Sequence, residues 1–280
     1  HQIKQIGCRT VLALSLIFPL QLRMGRLDDN EILYGTGKVE TKRLFAVYAK
    51  WGGFPETALA VGPLDKTKLL KEYLRAMFFR DLVERYDMTN IALFDALADK
   101  LFSSFSTCLT PTAFYRQYKD LFPFSKDLLF QYFRNFEESM LIFAVRKFSE
   151  SSYKRSRNPV KIYPADTGLC RRVASEDAGR ILENIVFIEL SRRGAEVYYF
   201  EEKQECDFIV KDGEGGLAAF QVCRELTDEN RRRETGGLIA ACRRLNVTEG
   251  TILTDDQEWE EEAEGIKIRV RPVWRWLINK

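Results

Sequence analysis

The sequence has one histidine, His1, at its first position. An imidazole-based catalytic triad or a histidine-ligated zinc site has nothing further to draw on, and both are excluded. The six cysteines, Cys8, Cys108, Cys170, Cys206, Cys223 and Cys242, include no C-x-x-C pair. A chain of 280 residues needs no disulfide staples, so free thiols in a reducing cytoplasm are expected. The one membrane-like stretch, Val11 to Leu22, is interrupted by Pro19 and falls short of the roughly 20 residues a spanning helix needs. No small-residue cleavage site follows it, since Gln21, Leu22 and Arg23 come next, and a buried strand is the expectation. No membrane partner is expected. There is no large excess of one charge: a net charge of +2 sets up no global field, so any case for nucleic-acid binding rests on local charge. The chain opens on His1 rather than Met, as a tag remnant or a piece of a longer protein would.

What is present is a globular composition, 45% hydrophobic and 30% charged, with length enough for about two domains. Gly35-Thr36-Gly37-Lys38 imitates part of a phosphate loop, but Ile32 stands where its first glycine belongs and Val39 where its hydroxyl belongs. A turn before a helix is expected there. Helical runs follow from Val39 to Lys50, closed by Gly52-Gly53 and Pro55, and from Asp65 to about Tyr86. The stripe Leu69, Leu70, Tyr73, Leu74, Met77, Phe78 and Leu82 gives the second run its core face. Three further helices are expected: Ile91 to Ser104, Thr110-Pro111 to Leu121, and Ser125 to Leu141. Strands over Leu141–Phe148 and Val160–Tyr163 would close a winged helix with the third as recognition helix.

Eight basic residues and two acids fall between Phe143 and Arg172. Arg146, Lys147, Lys154, Arg155, Arg157 and Lys161 on and around this wing are the candidate contacts to the phosphates of double-stranded DNA. A solvated loop or a connector facing a partner protein is the other reading of the same charge.

From residue 180 the pattern changes to a helix, Arg180–Arg193, three strands, Ala195–Phe200, Glu205–Lys211 and Leu217–Cys223, and a helix from Thr227 or Asp228 to Leu245. Strands at Thr251–Thr254 and Ile266–Val270 follow, with a solvated loop expected over the acidic run Asp255–Glu264. The order α-β-β-β-α-β is that of restriction-endonuclease-like folds, so the expected fold class is mixed α+β: a helical winged-helix region, then a nuclease-like α/β domain. In such folds acids on the first helix and on the strands hold Mg²⁺, and a lysine orients the attacking water. The matching positions here are Glu183, Asp207, Gln221 and Cys223. Period two puts Asp207 with Ile209 and Lys211 on one pleat and Gln221 with Cys223 on another, so the set can converge. Glu183 and Asp207 would supply the metal seat, but Gln221 carries no charge and a Cys223 thiol does not replace an ammonium. A vestigial site is expected, with a metal-dependent nuclease as the alternative.

Several stretches together resemble one family, prokaryotic predicted AAA-type ATPases whose C-terminal half is a domain of unknown function. They are Gly52-Gly53-Phe54-Pro55-Glu56; Tyr73 to Tyr86 around Phe79-Arg80-Asp81-Leu82-Val83-Glu84-Arg85; Lys161 to Leu169; Leu182 to Phe187; Glu205 to Phe208; and Gln221 to Leu226. They run in collinear order over roughly residues 38 to 280, and residues 9 to 20 resemble the end of the ATPase domain. The resemblance implies residues 1–37 as the end of an ATPase domain and a linker, 38–172 as the winged-helix region and 173–280 as the nuclease-like domain. It implies no particular reaction. ATP would belong to the upstream domain missing here, since this chain has neither Walker motif. The expectation is a non-catalytic module that uses no cofactor of its own, apart from Mg²⁺ if the site is active.

Overall fold

Caps set the helix starts. Asn90 accepts from the Leu93 N–H (3.0 Å), Thr110 from Ala113 (3.1 Å) and Ser125 from Leu128 (3.1 Å), each satisfying a donor the helix leaves orphaned. The computed structural model describes residues 35–149, 158–170 and 177–278. The apolar stretch Val11–Leu22 lies outside them. The chain divides into two units, residues 1–144 with 160–176, and residues 145–159 with 177–280.

In the first unit α1 (Gly35–Trp51) already includes Gly35 to Lys38, so the glycines expected to form a turn begin a helix. Next come α2 (Pro55–Leu59) and α3 (Pro63–Ala76). The expected run to Tyr86 changes character at Met77, and Met77–Glu84 is wound as a π-helix. The apolar stripe survives the change: Leu70, Leu74, Met77, Phe78 and Leu82 are buried. Then follow α4 (Ile91–Ser103), β1 (Cys108–Leu109), α5 (Pro111–Tyr118), α6 (Lys126–Glu138), β2 (Ile142–Lys147), β3 (Val160–Pro164) and α7 (Thr167–Cys170). β1 pairs antiparallel with β3. Phe78, Phe94 and Phe136 pack as a ring cluster in the core, with centroids 5.5–6.2 Å apart.

In the second unit α8 (Ala178–Arg192), capped by Asp177, precedes β4 (Glu196–Glu201), β5 (Glu205–Lys211) and β6 (Leu217–Val222). Then come α9 (Asp228–Leu245), β7 (Glu249–Thr254), β8 (Trp259–Ala263), β9 (Ile266–Pro272) and α10 (Val273–Ile278). β4, β5 and β6 pair antiparallel in turn; β7 joins β6 in parallel and β9 joins β7 in parallel. At the other edge Arg146 and Lys147, in the part of β2 that belongs to this unit, pair with Tyr198 and Tyr199. The element order α-β-β-β-α-β is present, in a mixed α and β architecture.

The acidic run is corrected. Residues 259–263 form β8, antiparallel to β9, rather than a solvated loop. β9 supplies the counter-charges: Glu260 meets Lys267 (2.9 Å) and Arg271 (2.6 Å), and Lys267 holds its carboxyl below the usual range. No helix among the described residues is long and apolar enough to cross a membrane.

Candidate functional site

Asp207 lies on β5 and Gln221 on β6, where antiparallel pairing of Phe208 with Phe220 sets them side by side. The Val222 N–H donates to Asp207 Oδ2 (3.0 Å), and the Asp207 N–H donates to Gln221 Oε1 (3.2 Å). The other end of the same amide, Gln221 Nε2, donates to Glu234 Oε2 (2.7 Å). Glu234 belongs to α9 and is buried. Its Oε1 accepts from Arg233, whose side chain is 82% exposed. Burial first, then the charges of Glu234 and Asp207, push the Cys223 thiol up to about 12, so it is a neutral thiol at physiological pH.

The structure thus gathers Asp207, Gln221 and Cys223, as the strand period requires, and adds Glu234 and Arg233. Glu183 is buried on α8, one turn before Phe187. Phe187 packs on Phe208 (6.5 Å between ring centroids), the ring on the opposite pleat from Asp207. Glu183 therefore rides on the helix that covers that other pleat. The pair on α9 was missed because a glutamate beside an arginine on a helix reads as a solvated pair. Only the burial of one and exposure of the other sets them apart.

As a seat for Mg²⁺ these groups do not fit. Asp207 Oδ2, Gln221 Oε1 and both Glu234 oxygens already accept from protein donors, and Cys223 keeps its proton. Among the described residues no group of three or more histidine, cysteine or acidic side chains is placed to hold a metal ion.

Of the basic set, Arg146 is exposed at the end of β2, and Lys147 lies 3.8 Å from Glu201. Lys161 is buried on β3, which removes its ammonium from the groups a phosphate can reach. Lys154, Arg155 and Arg157 lie outside the described residues.

Another buried carboxylate, in the first unit and not singled out from the sequence, is Asp166. It accepts from the Gly53 N–H at Oδ2 and from the Gly168 N–H at Oδ1, both at 2.7 Å. The motif Gly52–Glu56 and the motif around Asp166 are thus two halves of one clasp in the first unit. Gly52 has φ +75°, and a Cβ there would stand 1.8 Å from Asp166 Oδ1.

The thiols give a chemical check on this placement. Cys108 is exposed, whereas Cys170, Cys206, Cys223 and Cys242 are buried. Brief alkylation of the native chain, read by peptide mass spectrometry, is expected to modify Cys108 and to spare those four until denaturant is added. Rapid native labelling of Cys223 would show an open site.

Residues 42–179 match a family described as a domain of unknown function (DUF8612). An uncharacterized protein of Methanocaldococcus jannaschii is 31% identical over 255 residues, covering 86% of this chain and 57% of that protein. An uncharacterized protein of Haemophilus influenzae is 24% identical over 243 residues, covering 85% of this chain and 58% of that protein. The chain therefore spans less than two thirds of either relative. Among solved structures, a half-complex from a tetradecameric assembly of Thermococcus gammatolerans McrB AAA+ hexamers with bound McrC is similar at 14% identity and a TM-score of 0.27. That match covers 66% of this chain and 49% of the other, and at that score it carries no structural argument.

Proposed function

We propose that this chain is the non-catalytic C-terminal module of an AAA-type ATPase of the cytoplasm. In this reading a winged-helix region and a degenerate restriction-endonuclease-like domain bind DNA or a partner protein. The order α8-β4-β5-β6-α9-β7 and the sequence α4-β1-α5-α6-β2-β3 support it. The observation that carries the non-catalytic reading is Gln221. Its amide spans from the Asp207 N–H to the Glu234 carboxylate, in the place where a metal-binding carboxylate would stand. Losing one group that stabilises a transition state costs on the order of 10²–10³ in rate. Here the carboxylate at position 221 and the ammonium at 223 are both replaced. A metal-dependent nuclease is the second reading; it needs the Glu234 carboxylate, beside Asp207, to give up Gln221 and Arg233 and turn to a cation.

One set of incubations tests both. The chain is mixed with labelled duplex and single-stranded DNA over a range of salt, with Mg²⁺ or Mn²⁺, beside an Asp207→Ala control. Salt-dependent duplex binding without cleavage is expected. The triple variant Lys154→Ala, Arg155→Ala, Arg157→Ala should bind all sequences more weakly, with the log–log salt slope flattened by about 0.9 per lost contact. Cleavage that Asp207→Ala abolishes would establish the nuclease. No duplex binding at low salt would leave the protein partner.

A further inference from the structure

In the first unit an apolar groove of about 920 Å³ lies between α4 and the face of α3 with its π-helical continuation. Leu70, Leu74 and Phe94 form a buried floor. Phe79 and Ile91 form the lips and remain 59% and 48% exposed. Large apolar side chains held open on rigid helices above an apolar floor mark an interaction surface. Phe79 also belongs to the π-helical stretch, a winding found frequently at functional sites.

The charge on the groove narrows what it takes. Lys71 and Arg75 stand one helical turn apart on the α3 wall, and Asp95 on the α4 wall is the acidic side chain among the described lining residues, so one side of the groove is basic. From Thr67 to Phe79 the wall runs about 18 Å at 1.5 Å per residue, the length of about three helical turns. A concave trough of that length, apolar at the bottom and basic along one side, complements an amphipathic helix with carboxylates on one flank. A bilayer is flat on this scale and would leave the floor unfilled.

We propose that this groove docks an amphipathic helix of a partner protein, with its apolar face on Leu70, Leu74 and Phe94 and its carboxylates against Lys71 and Arg75. The surface belongs to the first unit and does not depend on whether the Asp207 site cuts DNA.

The probe is a fluorescein-labelled 16-residue synthetic helix with leucine at i, i+3, i+4 and i+7 and glutamate along one flank, beside a twin with lysine in place of glutamate. Anisotropy with the full chain should show the glutamate helix binding about tenfold more tightly than its twin, as two rim ion pairs allow. Lys71→Glu with Arg75→Glu should reverse the preference, and Phe79→Ser, at an exposed position, should weaken both. Equal affinity for the two helices, binding to neither, or indifference to the charge reversal would overturn the proposal. Light scattering that shows a dimer lost in Phe79→Ser would make a second copy the occupant. Sedimentation with phosphatidylglycerol vesicles, lost on charge reversal while the helix fails to bind, would make it a lipid surface; either result also overturns it.

Discussion

Gly52→Ala is expected to destabilise the first unit by roughly 3–5 kcal/mol, since the new Cβ must move a buried carboxylate and hold a left-handed φ. Its position 1.8 Å from Asp166 Oδ1 and 2.8 Å from the Gly168 nitrogen leaves no relaxation that keeps both hydrogen bonds. Asp166→Ala should cost about 2–5 kcal/mol, because two buried N–H groups lose their acceptor. Hydrogen exchange followed by mass spectrometry separates the two units, and the loss should fall on peptides of residues 35–144 and 160–170. The clasp also responds to pH. Burial pushes the Asp166 carboxyl up to about 6 from 3.8, against the pull of the two N–H donors, so the folded chain holds this proton more tightly than the unfolded one. Its contribution is therefore full below about pH 4 and is lost as pH rises to about 6, a span worth about 3 kcal/mol. Against an Asp166→Asn control, the stability of the native chain should fall across that window. A pH-independent difference between the two would refute the assignment.

Gln221→Glu should be the most disruptive change in the second unit. The substitution turns the donor that faces Glu234 Oε2 at 2.7 Å into a second carboxylate and keeps both acids beside Asp207. Removing one partner of a buried polar pair and adding a like charge costs roughly 3–5 kcal/mol at neutral pH. Like charges this close raise the pKa of the pair, so the loss should shrink as pH falls towards 5 and the pair takes up a proton. Chemical denaturation at pH 5, 7 and 8 reads the effect, and repeating it with Mn²⁺ asks whether the introduced carboxylate holds a cation. Stabilisation by Mn²⁺ in the variant alone marks a decayed metal site. An unchanged stability at every pH would mean that Gln221 does not bridge these strands to α9.

The convergence of Asp207 with Gln221 was legible because strand period two is local and the three-strand order was clear from turn residues such as Asp212–Gly216. The role of Asp166 was not legible: its two donors lie on Gly53, 113 residues away, and on Gly168. β8 was missed for the same kind of reason, since a run of glutamates looks solvated until the cations of β9 stand opposite it.

The sequence by itself determined the helix starts at Asn90, Thr110 and Ser125, the span of β5 and the alternation that turns Asp207 and Gln221 towards one face. These depend on dihedral preference, capping chemistry and side-chain period, which act over a few residues. Only the tertiary structure decided that Lys161 is buried, that Glu234 rather than Glu183 shares Gln221 with Asp207, and that Phe79 stays exposed above a groove. Burial and hydrogen-bond partnership are properties of packed pairs from distant parts of the chain, and no local pattern of residues encodes them.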